Sequence, residues 1–300
     1  GRRPALRRPR PEGSTIVSGR AAIRQFAAAA RSNRLVAASL LTIVVIAIIA
    51  ILGPLVSPHG HISTNLDGRL LAPSFSTWHL FGTDDLGRDL FVRTLAGTQV
   101  TLLVAVVASA VSLLIGVSYG AIAGFLGGAV DAVMMRIVDV LYALPYIFFV
   151  ILLMVVFDRS LLLVFIAIGA VNWLDMARIV RGQTLSLKER EFVQAARLIG
   201  VSRFAIILRH ITPNLFGTVI VYITLTIPQA ILMESFLSFL GLGVQEPDAS
   251  LGTLVNAGAS HMEQASWMLL APATLLALLL FCFNFLGDGL RDLADPRKQK

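Results

Sequence analysis

The chain has 300 residues, 56% hydrophobic and only 14% charged, with a mean hydropathy of +0.78. Soluble domains average about 25% charged residues, so an ordinary globular enzyme is excluded and a polytopic all-α membrane protein is implied. The net charge of +7 is divided among separate segments, which argues for membrane topology over nucleic-acid binding, and the single Cys282 excludes an internal disulfide.

Residues 1–34 hold nine arginines against one acid, Glu12. With prolines and no long apolar run, they read as a basic cytoplasmic arm, disordered at first and helical near Ile23 to Arg31. Residues 35–56 are uncharged throughout, about 33 Å as a helix, enough for a first transmembrane span and too long for a signal-peptide core. Residues 57–97 are polar and turn-rich and form an external loop. Within it Asp84, Asp85, Arg88 and Asp89 are expected to pair locally, as exposed pairs of little energetic weight. His59, His61 and His79 share no ligand spacing, so no metal site is assigned.

Residues 98–290 are expected to form a five-helix core, with 291–300 as a cytoplasmic tail. The 37 uncharged residues between Arg93 and Asp131 would make about 55 Å of helix, too long for one span. A second span from Thr98 to Gly124 is therefore expected, preceded by an interfacial turn and followed by a break at Gly127-Gly128. Gly116, Gly120 and Gly124 repeat every four residues, a stripe that admits a neighbouring helix. The third span runs from Met134 to Phe157. Arg136 and Asp139 at its start are spaced to neutralise one another, and Pro145 interrupts one backbone bond, as a tolerated kink or a widening of a pathway. The fourth, Ser160 to Ala177, ends on a similarly spaced pair, Asp175 and Arg178. Asn214 to Leu240, carrying Pro228 and Glu234, is the fifth span, and Trp267 to Leu286 the sixth. Residues 241–266 between them hold three acids and no Lys or Arg, and read as an external loop.

Between spans four and five lies a basic amphipathic insert, residues 186–213. Ser186 and Glu189 have the spacing of a capping box. Phe192, Ala195, Ala196 and Ile199 fall at i, i+3, i+4 and i+7, one apolar stripe, opposite Arg190, Gln194 and Arg197. Gly200 suits the left-handed end of a helix and Ser202 the cap of the next; Thr212 and Pro213 suit the N-cap and first position of the following span. A lipid-surface helix is the plainer alternative for such a segment.

The run Gln194-Ala195-Ala196, then Gly200, then Pro213 resembles the E-A-A-x3-G-x9-I-x-L-P loop of bacterial ABC-importer permeases, with Gln194, His210 and Thr212 departing from it. HLFGTDDLGRDLF, His79 to Phe91, resembles the G-T-D-x-L-G-R-D stretch of dipeptide- and oligopeptide-type permeases. SFLGLGVQEP, Ser238 to Pro247, and GDGLRDLADPR, Gly287 to Arg297, resemble the ends of the C-subunit kind. The resemblance implies the type I importer permease fold and coupling helices that dock on a separate ATPase, burying Phe192 and Ile199. It implies a homologous second permease, two ABC ATPase subunits carrying ATP and Mg, an external substrate-binding protein, and a multi-pass location in the bacterial inner membrane amid lipid.

Six spans with both termini inside place 21 Lys and Arg in cytoplasmic segments and four outside, as positive-inside retention requires. No G-x-x-x-x-G-K-[ST] loop is present to cradle ATP phosphates, and no catalytic residue or cofactor is assigned to this chain. The competing class is an ion-coupled transporter or channel using Asp139, Asp175 and Glu234. An intramembrane hydrolase ranks last, for want of a nucleophile or zinc motif.

Overall fold

The computed structural model describes residues 33–156 and 161–294. The basic arm, with the helix expected near Ile23 to Arg31, and the last residues of the tail lie outside the described residues. Helix α1 spans Arg34–Val56, opened by the Asn33 side chain, which accepts from the Leu35 amide at 2.9 Å. Helix α2 is a single rod, Leu90–Leu126, of 37 residues. The turn expected before Thr98 does not form. The Asp89 carboxylate accepts from the Val92 amide at 2.8 Å and starts the helix early. The Thr94 and Thr98 hydroxyls donate back to the carbonyls one turn earlier, each at 2.7 Å, so these polar residues do not break it. Gly127, at φ +66, ends the rod.

The expected third span is two helices, α3 (Gly128–Ala143) and α4 (Tyr146–Val156), bent by 84°. Pro145 supplies no amide to the ladder and pushes Leu144 into extended backbone, φ −74 and ψ 132. Helix α5, Leu161–Leu187, runs ten residues beyond Ala177, where the fourth span was expected to stop. Its arginines do not end it because acids on α3 meet them: Arg181 holds Asp131 through two bonds of 2.5 and 2.6 Å, and Arg178 reaches Asp139 at 2.8 Å.

After the short helix α6 (Glu191–Leu198), helix α7 runs from Arg203 to Phe239, with a π-helical turn at Ile207–Ile211. Thr212 is therefore no N-cap. Its amide bonds back to the Ile207 carbonyl, and this wider turn lets Pro213 sit inside a continuous helix. Residues 241–266, expected as loop, contain helix α8, Leu251–Ser260, opened by a capping box of Ser250 and Thr253. Helix α9 is Trp267–Ala294.

By length and composition four of the described helices can cross a membrane, and the bent α3–α4 pair makes up to five. The closest packing is between α2 and α5. A Cβ on Gly116 would lie 2.5 Å from the Met176 Cβ, and one on Gly120 would lie 2.4 Å from the Ala177 carbonyl oxygen. On Gly124 it would lie 2.8 Å from the Arg181 carbonyl oxygen. Only glycine lets these backbones meet. Elsewhere Val104, Ile168, Ile231, Leu237, Leu251 and Leu279 form a core shared by α2, α5, α7, α8 and α9. Ile48, Ile51 and Leu55 on α1 and Phe281 on α9 stay exposed, the outward apolar surface of a lipid-embedded bundle.

Candidate functional site

The α6–α7 segment is anchored on one face and bare on the other. Val193, Ile206 and Ile211 are wholly buried, packed with Ala121 and Phe125 of α2 and Met176 and Val180 of α5. The inward face of α6 is therefore Val193 and Ala196, with Phe192 half-buried beside them, and the expected stripe is rotated. Ala195 is exposed, and Ile199 stands just past the last helical residue, 80% exposed. The expected capping box is also absent: Ser186 lies inside α5, Arg190 is the α6 N-cap without a side-chain bond, and Glu189 offers only its carbonyl, to Gln194 Nε2 at 3.2 Å. At the other end Gly200 adopts φ +81. The Val201 amide bonds to the Ala196 carbonyl at 3.0 Å and the Gly200 amide to that of Arg197 at 3.1 Å, a Schellman closure. The Ser202 hydroxyl then accepts from the Ala205 amide at 3.3 Å. The turn carries three large apolar side chains into the open: Leu198 at 88%, Ile199 at 80% and Phe204 at 67% exposure.

At the start of α2 the charges expected to be exposed are buried. Asp84, Arg88, Asp89 and Arg93 are each less than a tenth exposed. Arg88 Nε donates to Asp84 at 2.6 Å, and its Nη1 donates to Glu246, from the segment before α8. Arg93 Nη2 donates to Glu246 at 3.2 Å, while its Nε stands 3.4 Å from Asp84 as an ion pair without hydrogen-bond geometry. Burial disfavours the Arg88 charge, but the hydrogen bonds to Glu246 and Asp84 outweigh it and hold the guanidinium above its ordinary pKa. Asp85 takes no part through its side chain; its carbonyl accepts from Arg69 at 2.5 Å. His79 Nδ1 meets Asp89 at 2.7 Å, and the His59 and His79 rings stack at 4.4 Å. His61 contributes its carbonyl, which accepts from Arg93 at 3.4 Å. Sequence reading missed Glu246 and Arg93, because Glu246 lies more than 150 residues from the arginines it closes on.

Residues 116–300 match the family of binding-protein-dependent transport system inner membrane components, and residues 22–73 match the N-terminal TM domain of oligopeptide transport permease C. The chain belongs to this permease family. It is 51% identical over 265 residues to the oligopeptide transport system permease protein OppC of Haemophilus influenzae, covering 88% of this chain and 85% of that one. It is 45% identical over 271 residues to the dipeptide transport system permease protein DppC of Bacillus subtilis, covering 90% and 84%. A solved chain of the MetNI methionine ABC transporter, in inward facing conformations, shares the fold at TM-score 0.54 and 18% identity, over 68% of this chain and 96% of that one.

In this permease the acids considered for ion coupling all have partners. The expected pairs within one helix do not form. Asp139 binds Arg178 across two helices, Asp175 accepts from the Tyr142 hydroxyl at 3.0 Å, and the Arg178 guanidinium lies 4.2 Å above the Tyr142 ring, with Arg136 exposed nearby. Glu234 is fully buried. It accepts from Ser238 at 2.6 Å and Thr101 at 3.4 Å, and Thr101 accepts in turn from the Leu251 amide at 3.1 Å. That places Glu234 at a junction of α2, α7 and α8.

Proposed function

We propose that this permease forms half of the membrane channel of an ATP-driven importer of dipeptides or longer peptides. A homologous second permease supplies the other half, two ABC ATPases bind ATP and Mg, and an external binding protein delivers the peptide. The location is a bacterial inner membrane. The order of helices supports six spans, with α5 as the fourth and α9 as the sixth, and both termini in the cytoplasm. The observation that carries the reading is the Gly200 turn. Leu198, Ile199 and Phe204 are presented to a partner while Val193 and Ile206 tie the same segment to α2 and α5. Burying two such side chains contributes about 1.5–3 kcal/mol each. A push on the turn therefore travels into the long helices, whose packed contacts shift as rigid bodies.

The test is uptake of labelled peptides by cells or proteoliposomes carrying the full complex. Uptake that needs the binding protein and ATP, and survives collapse of the proton gradient, is expected. Uptake that persists after ATP depletion but vanishes with the proton gradient would overturn the proposal in favour of ion coupling.

A further inference from the structure

We propose that His59, His79 and Asp89 form a binding site for a first-row divalent metal ion, zinc fitting best, at the start of α2. One ring nitrogen from each histidine and one carboxylate oxygen of Asp89 lie within 4.8 Å of one another. Donors about 2.0 Å from a tetrahedral ion stand roughly 3.3 Å apart, so the group closes when the His59 ring swings out of its stack on His79 and turns a nitrogen toward Asp89. Asp89 is a fixed wall: its side chain is 1% exposed, and its second oxygen is held by the Val92 amide. His59, on a half-exposed turn whose amide bonds to the Ser57 hydroxyl at 3.2 Å, supplies the movement.

The contacts leave a ligand atom available on each group. His59 Nε2 faces the Thr77 carbonyl at 3.3 Å and His79 Nδ1 faces the Asp89 carboxylate at 2.7 Å. At His79 the ion would take the place of the hydrogen that joins Nδ1 to Asp89, so that this nitrogen and the carboxylate oxygen both become ligands, while His59 offers the ring nitrogen that does not meet Thr77. Two imidazoles and one carboxylate are a three-donor set for zinc, with water completing the coordination. The plainer reading, in which His79 merely braces Asp89 at the helix start, gives no role to the stacked His59. Filling the site would tie residues 57–60 and His79 to the same helix end that Arg88, Arg93 and Glu246 lock. It depends on neither the proposed substrate nor the proposed partners.

The experiment titrates zinc into the full-length purified permease in detergent, with a competing chelator, beside His59→Gln, His79→Gln and His61→Gln. His59 and His61 take no part in the buried ion pairs through their side chains, so these variants should remain monodisperse. The expected result is one saturable zinc per wild-type chain, unchanged by His61→Gln and weakened about tenfold or more by His59→Gln and His79→Gln. Absence of saturable binding, or equal binding by wild type and His59→Gln, overturns the site.

Discussion

Asp84→Ala is expected to destabilise the permease more than any other single change at the start of α2. The carboxylate faces Arg88 at 2.6 Å and Arg93 at 3.4 Å, and both arginines are less than a tenth exposed. Removing it leaves two buried cations sharing Glu246 alone, and breaking a buried pair in this way costs about 3–5 kcal/mol. Asp84 Oδ1 also accepts from the Leu86 and Arg88 amides at 2.9 and 2.8 Å, so the loop loses two backbone tethers as well. Glu246→Gln should cost much less. Its side chain is 63% exposed, and solvent screens most of what it contributes. Thermal unfolding of the two variants in detergent checks the order; an Asp84→Ala midpoint at or above that of Glu246→Gln would show that the buried cluster does not carry the stability assigned to it.

The second large effect is functional. Gly200→Val is expected to leave membrane insertion intact while uncoupling ATP hydrolysis from peptide uptake. Gly200 holds φ +81, and an added Cβ would meet nothing within 4 Å, so the penalty is purely conformational. A left-handed residue other than glycine costs about 1–2 kcal/mol, and a β-branched one fits worst. That is comparable to what one docked side chain returns, so the turn would open, and Leu198 and Ile199 would lose their shared orientation. Gly200→Asn, which tolerates the same backbone, should stay close to wild type. Parallel assays of ATPase and uptake separate the cases. A valine variant with normal coupled uptake, or an asparagine variant as damaged as valine, removes the turn from the mechanism.

Much of this fold can be read from composition, because a run of apolar residues in a membrane has no stable alternative to a helix. The uncharged run Leu35 to Val56 and helix α1, Arg34–Val56, coincide to one residue. The structure departs from the sequence pattern where charges sit inside a helix and do not end it. The fourth span is expected to end at Ala177, beside Arg178, yet acids about 40 and 50 residues earlier on α3 neutralise Arg178 and Arg181 inside α5. Asp84 and Arg88 looked exposed because Glu246, the residue that closes over them, is remote in sequence. The apolar stripe of α6 was misjudged for a different reason: an eight-residue helix allows two registers, and only packing on Phe125 and Met176 selects Val193 over Ile199. The same remoteness hid the meeting of His59 with His79, twenty positions apart along an irregular loop.

In the proposed mechanism, force from an ATPase enters through the apolar tip of the Gly200 turn. The measurement that reaches it most directly is the amount of ATPase retained when the wild-type permease and the Leu198→Asp, Ile199→Asp double variant are purified from cells expressing the whole complex. Both positions are at least 80% exposed, so the variant should fold and keep its partner permease. ATPase is expected to be lost from the variant, since about 3 kcal/mol of docking energy corresponds to more than about a hundredfold in affinity. A double variant that retains a full complement of ATPase and still couples its hydrolysis to uptake would contradict it.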